Sequence, residues 1–250
     1  MRYLKLTLAY DGSNYQGFQR QKNAVGVQQV LEQALSKLLC EKINLAASGR
    51  TDTGVHARGQ VVSFATVSTV PTDRIVPALA SFLPADIVVR QVEVVDSGFN
   101  ARFSALRKRY QYRILIAEHA NPFERHYAWQ MHKPLQLAAM QEATQLLVGT
   151  HDFAAFRSQG SAAVNTIKTM FVAQWQELHP HELIFTIEGN GFLYHMVRSI
   201  VGTLVRVGMG KLTVARFQEI LVSKQRALAG MAAPPQGLYL DEVIYPQLKK

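Results

Sequence analysis

Strand-like and helix-like hydrophobic periodicities alternate along the whole chain, and this alternation restricts the possible folds more than any other feature. Apolar residues recur at every second position in Leu4–Tyr10, which is typical of a half-buried strand, and at helical spacing from about residue 26 to residue 40. The second half repeats this order, with a clean alternation in Arg109–Ile116 and an apolar-rich helix predicted at Phe192–Val207. Such mixed runs predict an α+β fold of two similar domains, each a mostly antiparallel sheet with helices on one face.

The boundary between the two predicted domains falls near Gly98–Arg107, where no segment rich in proline, glycine or serine marks a linker. We therefore expect closely packed domains at residues 1–105 and 106–250. Within them, the same patterns predict a short strand at Ile43–Ala47 and a helix at Leu135–Val148, with Gly149 as its C-cap.

The charge balance of the chain indicates what kind of partner it meets. Its 250 residues include 27 Lys and Arg against 18 Asp and Glu, which gives a net charge of +9. Such an excess points to a polyanion, either a nucleic acid, a membrane surface or an acidic small molecule, unless it serves solubility alone. The single cysteine, Cys40, excludes an intramolecular disulfide and fits a reducing cytoplasm. No apolar stretch approaches the ~18 residues of a membrane span, so no membrane partner is predicted.

Cations and aromatic residues are concentrated near the predicted domain boundary. Five cations occur within twelve residues and without an acidic residue among them: Arg102, Arg107, Lys108, Arg109 and Arg113. Tyr110 and Tyr112 are interleaved with them. Guanidinium and ammonium groups contact phosphates and aromatic rings stack on bases, so this segment is a candidate nucleic-acid site. The alternative is a solvated sheet face whose tyrosines belong to the core, and the strand pattern favours the core for Tyr112.

One acidic residue lies in a loop that is suited to presenting it. Asp52 is the only acidic residue between Glu41 and Asp73, and glycines border its loop at Gly49–Gly54. Glycines permit tight or left-handed backbone, and the nearby Arg50 favours an ionised carboxylate, which can act as a nucleophile or a base. The alternative is a turn in which Asp52 only satisfies its own loop backbone.

A single arginine interrupts the predicted helix at Phe192–Val207. Arg198 is the only formally charged residue between Leu193 and Val205. A cation on such an apolar helix needs a counter-ion or a route to solvent. It is therefore either a partner for an active-site carboxylate or a side chain that reaches out to water.

The sequence contains no complete cofactor or metal motif. Gly208–Thr213 lacks two of the positions that a phosphate-binding loop requires, and Gly189–Tyr194 lacks the third glycine of a dinucleotide fingerprint. The eight histidines form no H-E-x-x-H pair, and one cysteine does not favour a zinc site. We therefore expect neither a cofactor nor a metal.

Segments spread over nearly the whole chain together resemble the motifs of the tRNA pseudouridine synthase A family. They are, in chain order, residues 10–21 (YDGSNYQGFQRQ), 49–57 (GRTDTGVHA), 59–62 (GQVV), 103–105 (FSA), 108–112 (KRYQY), 190–198 (NGFLYHMVR) and 235–240 (PQGLYL). The visible departure is Thr53, because the family usually has alanine after its catalytic aspartate.

The resemblance implies an enzyme that isomerises uridine to pseudouridine at nucleotides 38, 39 and 40 of the tRNA anticodon stem-loop. No atoms or electrons enter or leave in this rearrangement, so it needs neither a metal nor a redox cofactor. The resemblance implies that Asp52 is the nucleophile, that Arg198 pairs with it and that Arg50 holds the flipped uridine. It also implies a homodimer with a basic cleft between the two domains of each chain. On the substrate side, it implies that Tyr110 stacks on the target base, and we expect Lys108 and Arg109 to bind the RNA.

Two alternatives remain open at this point. One is a non-catalytic tRNA-binding protein that uses the same basic surface. The other is an N-glycosidase, although such enzymes normally place two carboxylates across the scissile bond and Asp52 has no evident partner nearby in sequence. The residues also leave open whether Asp52 attacks C1′ or removes a sugar proton to give a glycal.

Overall fold

The computed structural model of the chain describes residues 1–158 and 165–246. Two compact units are present: unit 1 comprises Met1–Leu106 and Tyr239–Lys250, and unit 2 comprises Arg107–Leu238. The elements of the first unit begin with β1 (Arg2–Tyr10), α1 (Val27–Leu39), β2 (Ala46–Ala47), β3 (His56–Thr66), α2 (Thr72–Leu79) and β4 (Ile87–Val95). The second contains β5 (Arg107–Ile116), β6 (Trp129–Met131), α3 (Leu137–Gln145), β7 (Gly149–Asp152), β8 (Ile167–His179), β9 (Glu182–Gly189), α4 (Met196–Gly208) and α5 (Val214–Ser223), and the last strand is β10 (Leu238–Ile244).

The sheet of unit 1 is built around β1, which pairs antiparallel with β3 on one side and β4 on the other. Leu6 lies opposite Val62 in β3 and Val92 in β4. Leu4, Leu6 and Leu8 are completely buried, as the alternating pattern predicts, because successive side chains of a strand face opposite sides. β2 pairs antiparallel and β10 parallel with β3, while α1 contacts α2 and α2 contacts β4.

The sheet of unit 2 has the order β5, β9, β8, β7, with antiparallel pairing throughout, and β6 adds a parallel pairing to β5. α3 contacts α4, α5 and β8, so the helices of this unit lie together. Tyr112 on β5 is completely buried, which confirms its prediction as a core residue. The predicted α+β class with mostly antiparallel sheets is confirmed in both units.

Several predicted elements differ from the structure at their ends. Only Ala46–Ala47 of the predicted strand at Ile43–Ala47 is paired. The helix predicted at Leu135–Val148 is Leu137–Gln145, and Gly149 begins β7 with φ +106° instead of capping the helix. Tight turn hydrogen bonds from the amides of Leu147 and Val148 end this helix early. Glycine is favoured where φ is positive, so it suits the start of the strand equally well.

The compact units differ from the predicted domains in the placement of the C-terminal strand, β10. Tyr239 lies opposite His56 and Leu240 opposite Ala57, so β10 groups with the first unit rather than with the residues before it. The predicted domain ranges, 1–105 and 106–250, stay a prediction. Within the described residues, none of the helices combines the length and apolar character that a membrane crossing requires.

Candidate active site

Asp52 lies in the loop between β2 and β3, where it is half-buried, while Arg50 in the same loop is exposed. The amide of Val55 donates a hydrogen bond to the carbonyl oxygen of Asp52 at 3.1 Å, which closes a tight turn. Gly54 supplies the positive φ of +74° that this turn requires. The loop therefore presents the Asp52 side chain from a defined backbone conformation.

A buried hydrogen-bond network holds the residues just before Asp52. The hydroxyl groups of Tyr10 and Thr51 lie 2.7 Å apart, and Ser48 donates to Oε1 of Gln60 at 2.6 Å. Nε2 of Gln60 in turn donates to the carbonyl oxygen of Gly49 at 3.0 Å. Burial raises the pKa of Tyr10 well above its usual value, so its hydroxyl stays protonated at neutral pH. The network ties the loop to strands β1 and β3.

The segment after β1, which contains Gly12 and Gly17, packs against the Asp52 loop. A Cβ on Gly12 would lie 2.0 Å from the carbonyl oxygen of Val55, and one on Gly17 would lie 2.7 Å from that of Thr51. Gly17 also has φ +82°, and the amide of Phe18 donates to the carbonyl oxygen of Thr51 at 3.1 Å. Only glycine allows backbones to approach this closely. Two motifs that are separate in the sequence thus form one packed unit around Asp52.

His56 follows the loop and is 2% exposed. Its Nδ1 accepts a hydrogen bond from the amide of Gly12 at 3.0 Å and lies 3.1 Å from a carboxylate oxygen of Asp11. Its ring stacks on Tyr239 with centroids 4.8 Å apart. These contacts give His56 a structural role, which is to hold the Asp11–Gly12 segment against β3 and β10.

In unit 2, the predicted RNA-binding residues lie on β5. Tyr110 is 8% exposed. Its ring packs edge to face against the ring of Phe192, with centroids 4.9 Å apart. This contact fixes the plane of the Tyr110 ring. Lys108 and Arg109 are half-buried on opposite faces of the strand, because neighbouring residues alternate in direction.

Carboxylates from other segments meet cations of β5, which the sequence did not reveal. Nη2 of Arg109 lies 2.8 Å from Oε2 of Glu188, and Nη1 of Arg107 lies 3.2 Å from Oε1 of the same carboxylate. Arg113 pairs with Glu182 and with Glu124. Part of this cationic run therefore forms ion pairs within the unit. The acids come from β9 and from the loop after β5, so only the strand register could have indicated them.

Arg198 is the third residue of α4 and is half-buried. Its Nε donates to the carbonyl oxygen of Ala233 at 2.7 Å, and the amide of Ala233 donates to the carbonyl oxygen of Arg198 at 2.9 Å. Burial raises the pKa of Tyr112 well above its usual value, and the positive charge of Arg198 offsets part of that rise. Arg198 therefore lies near Tyr112 on β5, the strand that also carries Tyr110.

The predicted helix at Phe192–Val207 begins four residues later than expected, at Met196. His195 precedes it in the left-handed region with φ +59°, and its Nδ1 shares a hydrogen bond with the hydroxyl of Ser158 at 3.0 Å. A residue in this conformation cannot continue a right-handed helix, so the apolar pattern overran the true start.

Each unit thus contains one part of the predicted site. Unit 1 brings Asp52 and Arg50 into one loop, and unit 2 gathers Lys108, Arg109 and Tyr110 on β5. The pairing of Arg198 with Asp52 stays a prediction. Among residues 1–158 and 165–246, no group of three or more His, Cys, Asp or Glu side chains is arranged to hold a metal ion.

Comparison with known proteins supplies the family. A family profile described as tRNA pseudouridine synthase matches residues 7–104 and 143–246. The chain is 47% identical over 245 residues to tRNA pseudouridine synthase A of Thermoanaerobacter sp. (strain X514), covering 98% of this chain and all of the relative. It is also 47% identical over 250 residues to the protein of that name from Syntrophomonas wolfei subsp. wolfei, with both chains covered completely. Since the profile and the relatives agree over almost the full length, the chain belongs to the tRNA pseudouridine synthase family.

Proposed function

We propose that this protein isomerises uridine to pseudouridine at positions 38, 39 and 40 of the tRNA anticodon stem-loop, with Asp52 as the nucleophile. Family membership supports the reaction and the tRNA substrate. The observation that carries the site is the loop of Asp52, in which the neighbouring Thr51 is buried and hydrogen-bonded while Asp52 itself keeps accessible surface. A carboxylate held in this way is preorganised for attack on a bound nucleotide.

The reaction rearranges bonds within one nucleotide. The bond between N1 and C1′ breaks, the uracil turns, and C5 bonds to C1′; the proton of C5 leaves and N1 gains a proton. Asp52 either attacks C1′ and forms a covalent intermediate, or removes a sugar proton to give a glycal. Both routes require the ionised carboxylate, and the proposed pairing with Arg198 favours that form.

The target uridine must first leave the stacked anticodon arm, which costs a few kcal/mol. Stacking on an aromatic ring returns about 1–3 kcal/mol per base, and Tyr110, whose ring packs edge to face against Phe192, provides that ring. Arg50 is exposed beside Asp52, where it holds the displaced uridine, and Lys108 and Arg109 contact the RNA.

The assembly and the compartment are proposals of the same kind. We propose a homodimer that acts in the cytoplasm, where tRNA substrates and a reducing environment are both found. The accessible thiol of Cys40 fits that environment. Sedimentation equilibrium measures the assembly directly, since a dimer has twice the mass of one chain.

The decisive experiment replaces Asp52 by its neutral isostere. Asp52→Asn is expected to lower the single-turnover rate of pseudouridine formation by at least about 10³-fold, because an amide is neither a nucleophile nor a base. Binding of tRNA should change by less than about threefold, since the loss of one anion weakens no phosphate contact. The product has the mass of the substrate, so pseudouridine is detected by chemical tagging and nucleoside chromatography.

Thr53→Ala is the matched control, because Thr53 is exposed in the same loop and its hydroxyl donates a long hydrogen bond of 3.4 Å to Oε1 of Gln16. It should retain wild-type activity. Turnover by Asp52→Asn near the wild-type rate would refute the proposed role of Asp52. Free uracil in the product would indicate an N-glycosidase, and salt-sensitive binding without any altered nucleoside would indicate a non-catalytic tRNA-binding protein.

A further inference from the structure

An irregular segment lies across helix α4 on the side where Arg198 emerges. We name this segment, Ala229–Pro234, the strap. Its two ends are held: the amide of Gly230 donates to Oγ1 of Thr203 at 2.9 Å, and the carbonyl oxygen of Pro234 accepts from the hydroxyl of Tyr112 at 2.8 Å. Thr203 in turn donates to the carbonyl oxygen of Ser199 at 2.7 Å. A non-helical segment is thereby fastened to both the helix and the sheet.

The strap lies so close to α4 that only glycine fits at the point of contact, on the helix and on the strap. A Cβ on Gly202 would lie 1.9 Å from the carbonyl oxygen of Met231, and one on Gly230 would lie 3.0 Å from the backbone of Gly202. Backbone meets backbone at this point, so no side chain could move aside to make room. The position of the strap along α4 is therefore set by Gly202 and Thr203.

Arg198 exchanges two hydrogen bonds with the strap one turn before this contact. Nε donates to the carbonyl oxygen of Ala233 at 2.7 Å, and the Ala233 amide donates to the carbonyl oxygen of Arg198 at 2.9 Å. A guanidinium group is planar and its donors have fixed directions, so a bond at Nε sets the plane in which both Nη atoms lie. A shift of the Ala233 carbonyl would rotate that plane.

We infer that the strap is a positioning element that aims the guanidinium of Arg198 for the isomerisation, and that Gly202 and Thr203 act on the reaction through it. This inference rests on the proposed function. Nε donates its hydrogen bond to the Ala233 carbonyl of the strap. This contact orients the two Nη atoms, which we propose to pair with the carboxylate of Asp52. The strap residues do not touch the nucleotide, so they should affect the rate of the chemical step rather than the binding of tRNA.

The test compares Gly202→Ala in two backgrounds. In the wild-type background, the added methyl group displaces the Met231 carbonyl, and the single-turnover rate should fall about tenfold or more with tRNA affinity retained. In the R198K background, the charge remains but the planar fork and its Nε are gone. There Gly202→Ala should slow the residual reaction less than about twofold, because the group that the strap orients is absent.

Three further variants make the result independent of folding defects at Gly202. Gly208→Ala lies on the same helix, and its added methyl group would meet Sδ of Met140 at 2.4 Å, a flexible side chain rather than the strap. It should leave the rate unchanged. Thr203→Val removes both hydrogen bonds of the hydroxyl and should slow the reaction, whereas Thr203→Ser should restore it.

Equal rate losses from Gly202→Ala in the wild-type and R198K backgrounds would overturn the inference, and so would wild-type rates in both Gly202→Ala and Thr203→Val. These outcomes leave the proposed function intact, because the wild-type protein still forms pseudouridine in them. Absence of pseudouridine from the wild-type reaction would instead overturn the proposed function, and the inference with it.

Discussion

Ser199 is completely buried, and its hydroxyl has no hydrogen-bond partner among the described residues. A buried hydroxyl without a partner costs about 1–3 kcal/mol. Ser199→Ala should therefore raise the free energy of unfolding by about 1 kcal/mol, which urea denaturation followed by circular dichroism measures.

Thr144→Val serves as the comparison for Ser199→Ala, because its expected effect on stability has the opposite sign. Oγ1 of Thr144 accepts a hydrogen bond from the indole nitrogen of Trp175 at 3.1 Å inside the core. Its loss leaves that donor unpaired and should destabilise the fold by about 1–3 kcal/mol. If Ser199→Ala destabilised the protein as Thr144→Val does, the Ser199 hydroxyl would have to be satisfied in solution.

Individual residues also show where sequence reasoning reaches its limit. The burial of Tyr112 follows from the alternation of its strand, because period-two patterns encode which face is covered. The pairing of Arg109 with Glu188 does not follow from any local pattern, since the two residues lie 79 positions apart and meet only through the β5–β9 register. Long-range partners of this kind require the fold itself.

At the scale of elements, two loops depend on each other. The sequence predicts a loop at Gly49–Gly54, and that loop occurs, but nothing in its motif indicates that it packs against the segment after β1. Their contact is made by backbone atoms at Gly12 and Gly17, which no hydrophobic pattern records. The late start of α4 has a similar origin, because the left-handed conformation of His195 is invisible to apolar periodicity.

Gly17→Ala tests whether these two loops act as one element. The substitution forces a side chain into φ +82° and places its Cβ 2.7 Å from the carbonyl oxygen of Thr51. We expect a loss of about 2 kcal/mol in unfolding free energy, from the left-handed conformation and the displaced loop, together with a slower single-turnover rate. Thermal unfolding and single-turnover assays on the same preparation measure both effects.

Gly98→Ala is the control for Gly17→Ala, because a Cβ at Gly98 would have no neighbour within 4 Å. It should leave both stability and rate unchanged. A Gly17→Ala protein that is destabilised but turns over at the wild-type rate would show that the position of Asp52 does not depend on the segment after β1.

At the scale of the whole molecule, the net charge of +9 indicates a polyanionic partner, and tRNA, the substrate of the family to which the chain belongs, is a polyanion. The sequence does not show how the charge is distributed, because carboxylates from distant segments meet some of the clustered cations. Arg107 and Arg109 share Glu188, which is 3% exposed, so removal of either arginine also disturbs a buried carboxylate. Among the cations predicted to bind RNA, Lys108 is tested because it lies on the opposite face of β5 from Arg107 and Arg109.

Lys108→Ala should change how tRNA binding responds to salt. The logarithm of the association constant falls linearly with the logarithm of salt concentration, by about 0.7–0.9 for each phosphate that a cation neutralises. Loss of one such cation should make the slope shallower by about 1, in filter-binding titrations between 50 and 200 mM salt. Lys37→Ala removes the same charge from the exposed surface of α1, outside the predicted RNA-binding residues, and should leave the slope unchanged. If both variants flattened the slope equally, tRNA would respond to overall charge, and Lys108 would hold no phosphate of its own.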